Sequence, residues 1–447
     1  PPAVKVAADQ SARKDFEGSD LIVAEEQTVS YGNPTLRFTH RTARVTVVLT
    51  DYTEGLASVR LTGLSTEGGN PAEIAPYDKG GDTYTALVAP QSVAAGTAFI
   101  TCAFNNGKVF VYKMQKAAEW KAGEEYTYTV SLAAAKDPGY TVSEDGKTYT
   151  VYNANGLLAW NEAVQKDMTL NCTLTADITL TGEWTPIGTE SQPYTGTFDG
   201  GGKYTITGLK IDQSGTDYVG LIGRLGSGGK VQDVTLTEVN VTGGTYVGGI
   251  AGQNDGTVEN CSVNGTVTGR GFNDTGGIVG TNYGTISGCS AEGTVTGSVN
   301  VGGIAGGSYL GVTIVGCYSS AAVEGYSTVG GVVGNLGNNS SLMASYSTGN
   351  VTVTSTTGYA GGVVGVNAQG TVTACYHATG TVSGQGNVGG IVGMNNSGQN
   401  TACYWSSNPA NGIGKMDSGT NGTIKVDGDW QNAVTQMNTA LQNAGSE

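Results

Sequence analysis

Residues able to move protons or hold metals are few in this 447-residue chain, and they are scattered. Cleaving a polysaccharide needs two carboxylates, or a carboxylate with Lys or Arg, converging on one groove. The acids between residues 190 and 325 are spread out: Asp199, Asp212, Asp217, Asp233, Glu238, Asp255, Glu259, Asp274, Glu292 and Glu324. From Gly325 to Gly414 the chain has no Asp, Glu, Lys or Arg, only His377. A catalytic pair among Asp199, Asp212 and Asp217 competes with a simpler reading, in which Asp199-Gly200 is a turn. Asp233 and Glu259 occupy repeated slots and read as solvated corner or strand positions. His40 reads as a packed or edge residue of a strand, and His377 is expected to face solvent. Two histidines so far apart do not suggest a metal site. No catalytic, cofactor-binding or metal-ligating residue is assigned, no cofactor is expected, and neither is enzymatic activity.

The seven cysteines have a different logic. Cys102 and Cys172 stand apart. Cys261, Cys289 and Cys317 recur every 28 residues, as do Cys375 and Cys403, and Ser345 fills the rung between the two sets. A disulfide framework does not copy one cysteine into the same slot of successive repeats. A ladder of inward slots that want a small apolar side chain does. Side chains stacked in parallel about 4.8 Å apart also suit the bent S–S bond poorly. Reduced, buried thiols are expected, and no rung adds a second metal ligand.

The elements that position these residues follow from a repeated phrase. Val247-Gly-Gly-Ile-Ala-Gly252 returns at Thr275–Gly280, Val301–Gly306, Val329–Gly334, Ala360–Gly365 and Val388–Gly393, with Val219-Gly-Leu-Ile-Gly223 as a first copy. A period of about 28 residues marks a solenoid. Each repeat continues with an Asn-containing turn, a segment ending at the ladder cysteine, and a strand such as Gly265–Gly269. Three short strands fit one coil of a parallel β-helix. In-register stacking would align Val247, Val301, Val329 and Val388 in one row, and Ile250, Ile278, Ile304, Val332 and Ile391 in another. The copies lack the Lys-Ser/Thr of a phosphate loop and the Asp of calcium-binding nonapeptides.

Ahead of the repeats, alternation at Leu36, Phe38, Val45, Val47 and Leu49 suggests a strand. Ser58–Leu64, Thr83–Pro90, Ala98–Phe104, Lys108–Met114 and Tyr126–Leu132 suggest others, together an antiparallel sandwich. Turns at Glu67–Pro71 and Asn105-Asn106-Gly107 separate them, and Pro138-Gly139 punctuates a linker. Asn155 could cap a helix with Leu157, Trp160 and Val164 on one face, closing the first coil. Asp429–Ala444 reads as an amphipathic helix with Trp430, Val434, Met437 and Leu441 as its apolar stripe, a C-terminal plug.

Composition narrows the partners. A net charge of -15 without a basic cluster disfavours nucleic acid. No apolar run reaches the 18–20 residues of a membrane span. Outward Tyr residues among Thr, Ser and Asn suit glycan or protein contact. Alternatively, Tyr318, Tyr346, Tyr376 and Tyr404, each after a ladder position, merely cover adjacent coils. The chain opens on Pro1-Pro2 without a signal peptide, and a processed or truncated form is expected.

Two resemblances rest on particular motifs. Trp184-Thr-Pro-Ile-Gly188, Tyr194–Gly200, Ile206–Ile211 and Tyr218–Gly223, followed by the Gly-Gly copies, make residues 150–410 similar to GLUG-repeat bacterial surface proteins. Ser19–Ala24, Leu36–Val45, Val88–Gln91 and Gly123–Val130 make residues 18–132 resemble fimbrillin-like proteins of Bacteroidota. The second resemblance implies a transthyretin-like sandwich in a secreted lipoprotein or pilus subunit. It also implies a lipid-anchor cysteine upstream, absent here, and pilus partners that add a strand.

The expected architecture is all-β. Residues 1–135 form a fimbrillin-like sandwich, incomplete if strands were removed, and 136–147 a linker. Residues 148–410 form a GLUG-repeat β-helix, and 411–447 a cap with a helix. The expected role is a non-enzymatic adhesin or fimbria-associated subunit on the outer face of the cell. The alternatives are a carbohydrate-binding lipoprotein, a β-helix polysaccharide-degrading enzyme, or a passive spacer.

Overall fold

The computed structural model describes residues 3–445 apart from 29, 33–34, 53–54, 106–108, 133–138, 338 and 407. It contains two compact units, residues 1–137 and 138–447.

In the first unit a four-stranded sheet runs in the order Glu125–Ser131, Ala43–Thr50, Thr83–Val88, Tyr77–Gly80. A three-stranded sheet is built from Leu56–Leu61, Ala98–Phe104 and Val109–Lys113. Alternation in Ala43–Thr50 points Val45, Val47 and Leu49 into a core shared with Leu61, Phe99, Ile100, Trp120 and Val130. Burying each large side chain is worth roughly 1.5–3 kcal/mol.

Three features depart from the sequence reading. Glu125–Ser131 runs parallel to Ala43–Thr50, so the sandwich is not wholly antiparallel. Leu36 and Phe38 are exposed and precede the strand instead of belonging to it. A short helix, Arg13–Gly18, was not anticipated. Just before it, buried Gln10 uses its side-chain amide like a strand's peptide group. Its Nε2 donates to the Leu87 carbonyl (2.8 Å), and its Oε1 accepts from the Leu87 N–H (2.9 Å). The turn at Asn105–Gly107 and the start of the expected linker extend outside the described residues.

The second unit is a parallel β-solenoid. It opens with strand Tyr140–Val142, antiparallel to Thr148–Val151, which in turn pairs in parallel with Asn171–Leu174. Helix Ala154–Val164 follows. Its cap is Asn153, two residues before the expected Asn155, and the Asn153 side chain accepts from the Gly156 N–H (3.0 Å). Leu157, Trp160 and Val164 are buried as predicted, and Trp160 meets Tyr194 and Phe198 at ring distances of 6.1 and 5.1 Å. The helix start lies so close to the chain that a Cβ on Gly156 would sit 1.9 Å from the Gly139 oxygen.

Four parallel sheets run along the solenoid. The wall holding the Gly-Gly phrase aligns Val247, Thr275, Val301, Val329, Ala360 and Val388 in register. Backbone hydrogen bonds join Ile250, Ile278, Ile304, Val332, Val363 and Ile391 in the adjacent row. Both expected rows exist, with Thr275 and Ala360 completing the first and Val363 the second.

A third internal row is polar. Asn254 Nδ2 donates to Asn282 Oδ1 (2.8 Å), and Asn282 Nδ2 donates to Ser308 Oγ (3.1 Å). Each Asn also holds its own turn: the Asn254 and Asn282 Oδ1 atoms accept from the N–H groups of Gly256 and Gly284. The turn asparagines visible in the sequence are therefore buried stitches between coils.

The C-terminal helix spans Gln431–Asn443, with the Asp429 carboxylate accepting from the Gln431 N–H (2.9 Å). It does not plug the axis. It lies on the flank of the last coils, where Ala433 and Met437 cover Ala374 and Tyr404, joined by Trp430 and Leu441. Val434, expected in the apolar stripe, is exposed.

Candidate functional site: the ladder corner and its tyrosine flank

The residue before each ladder position turns the chain through the left-handed region. Asp233, Asn260, Gly288, Gly316, Ala344, Ala374 and Ala402 have φ of 55, 53, 62, 65, 48, 54 and 50°. Asp, Asn and Gly tolerate this conformation, whereas Ala is strained there by about 1 kcal/mol. Two of the three alanines, Ala374 and Ala402, lie where the C-terminal helix docks, and a small apolar side chain is what a docked helix needs.

Behind this corner the thiols point inward. The Cys261 N–H donates to Cys289 Sγ and the Cys289 N–H to Cys317 Sγ, both at 3.4 Å. Ser345 takes the next rung, accepting from the Cys317 N–H at 3.1 Å. The Cys261, Cys289, Cys375 and Cys403 thiols each donate to the carbonyl two residues back. All seven cysteines are free and buried. Hydrogen bonding to Cys289 and burial push the Cys317 thiol up, burial pushes Cys375 up, and burial brings Cys102 and Cys403 to about 11. Only thiolate reacts with a disulfide reagent. At pH 8 the native protein is expected to leave Ellman's reagent unchanged, and unfolding in urea to release all seven thiols. Rapid labelling of a ladder cysteine before unfolding would contradict the placement.

One residue further along, the chain faces out. Tyr318, Tyr346, Tyr376, Tyr404 and then Ile424 stand in one register column. Tyr318 and Tyr346 stack at 5.2 Å and 8°, and Tyr346 and Tyr376 at 4.6 Å and 4°. Their faces are thus spent on one another. Trp430 of the C-terminal segment meets Tyr376 edge-on, and Tyr404 is only 3 % exposed beneath the helix. A sugar ring cannot stack on faces already covered, so the row chiefly seals adjacent coils. Tyr318, at the open end of the row and 42 % exposed, is the exception.

The next position faces inward again: Val263, Ala291, Ser319, Ser347, His377 and Trp405. His377 is therefore fully buried, contrary to the solvent-facing expectation, and its Nε2 lies 2.9 Å from the Gly380 carbonyl. Strand alternation from Cys375 through Tyr376 already pointed it inward. Burial lowers its pKa below the usual histidine value. His40 is exposed and pairs with Asp20 at 2.9 Å.

The acids are not brought together. Asp199 lies in one wall, its carboxylate accepting from Gln232 Nε2 and the Gly201 N–H, while Asp212 lies in a strand of another wall. Asp217 accepts from the Thr245 N–H and hydroxyl at a third place. Asp255 pairs with Arg224 (3.0 Å) and Glu259 with Lys230 (2.6 Å). Among the described residues, no group of three or more His, Cys, Asp or Glu could hold a metal ion.

Asp274, one of the scattered acids, is buried, which its sequence position did not suggest. Asp274, 4 % exposed, accepts from Asn300 Nδ2 (2.7 Å), which also approaches the Tyr309 hydroxyl (3.2 Å). Burial raises its pKa. The folded state then holds this proton more tightly than the unfolded chain, so stability falls as pH rises from near 3.8 through the folded pKa. Asp274→Asn is expected to raise the urea midpoint at pH 7, with the gain shrinking toward pH 4. A lowered midpoint at pH 7 would overturn this.

The fold and the ladder define a two-unit, all-β protein built on a repeating solenoid. Residues 2–153 match the fimbrillin-like family, and residues 243–268 and 273–296 match the GLUG motif. Over 205 residues the chain is 31 % identical to halomucin of Haloquadratum walsbyi, covering 40 % of this chain and 2 % of that protein. The chain thus spans a small fraction of the curated relative it matches. A Bacteroides ovatus structure provisionally described as an immunoglobulin A1 protease aligns at 20 % identity and TM-score 0.46, covering 62 % of this chain and 86 % of that one. A Bacteroides ovatus fimbrial protein aligns at 21 % identity and TM-score 0.20, covering 32 % and 33 %. Scores this low carry no chemistry from one chain to another. Among the described residues no helix is long and apolar enough to cross a membrane.

Proposed function

We propose that this is a non-enzymatic cell-surface adhesin or fimbria-associated subunit, in which a fimbrillin-like module attaches a solenoid displayed for contact. The observation that carries the reading is the joining, in one chain, of a fimbrillin-like match over residues 2–153 to a repeat solenoid with few charges. The separate placement of Asp199, Asp212 and Asp217 favours contact over cleavage. A partner strand would add along Val109–Lys113, one of the two outer strands of its sheet, where Val109 and Val111 are 62 % and 44 % exposed. The ligand class is a glycan or a surface protein, and the location the outer face of the cell.

Antibody labelling of intact cells tests the proposal. Surface signal that is lost on brief protease treatment is the expected result, and protein found only in the cytosol ends it. Incubation with plant and host polysaccharides is expected to yield no new reducing ends or unsaturated uronates. Their appearance would favour the polysaccharide-degrading alternative.

A further inference from the structure

Between the C-terminal helix and the last coil lies an open cleft of about 610 Å³, within the size range of small-ligand sites. No residue lining it is charged, although the chain has a net charge of -15. On the helix side stand Gln436, Thr439 and Asn443, spaced i, i+3 and i+7, which puts them on one stripe beside the buried stripe of Ala433 and Met437. On the coil side stand Thr401, Asn421 and Ile424.

On the coil side the Asn400 amide is committed to Asn367, Asn395 and Thr420, and the Thr423 hydroxyl to Asn421, whereas the helix side keeps its hydrogen-bonding capacity. The Gln436 and Asn443 side chains are exposed, and among the described residues neither amide has a hydrogen-bond partner. The Thr439 hydroxyl donates to the Thr435 carbonyl and retains its acceptor capacity. Ile424, next after Tyr404 in the outward column, is 53 % exposed and gives the cleft an apolar patch. An amide both donates and accepts, and so does every sugar hydroxyl, whereas an ionised ligand would find no counter-charge here.

We propose that the cleft between helix Gln431–Asn443 and strand Thr423–Lys425 binds a neutral oligosaccharide. Gln436 and Asn443 would bond its hydroxyls, and Ile424 would meet an apolar C–H face. This rests on the reading of the solenoid as a contact surface and adds a site and a ligand class to it.

Saturation-transfer NMR on the full chain tests it, with cello-, xylo-, malto-, manno- and galacto-tetraose as neutral probes. A tetragalacturonate and an uncharged Gly-Ser-Asn peptide complete the panel. At least one neutral tetrasaccharide is expected to receive saturation, with none on the tetragalacturonate. The exposed double variant Gln436→Ala/Asn443→Ala should weaken that binding about tenfold or more while melting at the unchanged temperature. Three results would overturn the proposal: no transfer to any neutral sugar, transfer that survives the double variant, or transfer only to the peptide or the acidic probe. Because the purified chain is used, failure here is distinct from failure of the surface assignment, which is read on intact cells.

Discussion

Gly303→Ala is expected to destabilise the solenoid by about 3 kcal/mol or more, a large effect for a single methyl group. A Cβ there would lie 2.2 Å from the Gly331 carbonyl oxygen, 2.2 Å from Ser319 Oγ and 2.6 Å from Ser319 Cβ. The serine hydroxyl can rotate away. The backbone of the next coil cannot, since it is fixed by its own parallel ladder. Later copies are as tight: Gly331 and Gly362 meet the next coil's backbone together with Ser347 and His377, and Gly390 meets the Trp405 ring. The second glycine is therefore a matter of fit against the inward row across the coil. Gly215 is the control, because a Cβ there meets nothing within 4 Å, and Gly215→Ala should stay within about 0.5 kcal/mol. Urea unfolding of the two variants checks the contrast, and equal midpoints would refute it.

Asn282→Ala is the second large effect, expected to cost about 2–4 kcal/mol. Asn282 is fully buried and central to three coils. Its removal leaves the Gly284 N–H and carbonyl without their side-chain partner, and Asn254 and Ser308 lose a bond each. Orphaning a buried polar group costs about 1–3 kcal/mol, and Asn254 Nδ2 keeps the Thr285 carbonyl, which limits the total. The same slot holds Leu336 two coils on, so an apolar residue is tolerated where its neighbours have adapted to it. An unchanged urea midpoint for Asn282→Ala would mean the asparagines are not stitches.

What the sequence made legible was whatever repeats. Cysteines 28 apart, with Ser345 in the empty rung, implied side chains in one internal slot, and the bond from Cys317 N–H to Ser345 Oγ is that slot. The apolar rows followed from the same period. His377 was misjudged because its polarity outweighed the alternation that pointed it inward. Val434 fitted a helical stripe, but the helix docks on the small corner residues Ala374 and Ala402, where Ala433 fits closer. The parallel pairing of Glu125–Ser131 with Ala43–Thr50 joins segments distant in sequence, which no local pattern reveals. The Asp274 group was hidden likewise, since Asn300 and Tyr309 lie 26 and 35 residues away. The cleft beside the C-terminal helix depends on docking to a flank, whereas the sequence suggested an end.

The solenoid requires successive coils to lie side by side in register. Asn264 and Glu292 are exposed and directly paired across two coils. With the native thiols buried, Asn264→Cys/Glu292→Cys can be labelled selectively with pyrene in the folded protein. A strong excimer band is expected, vanishing in urea and absent from each single variant. Monomer emission alone from the folded double variant would contradict it.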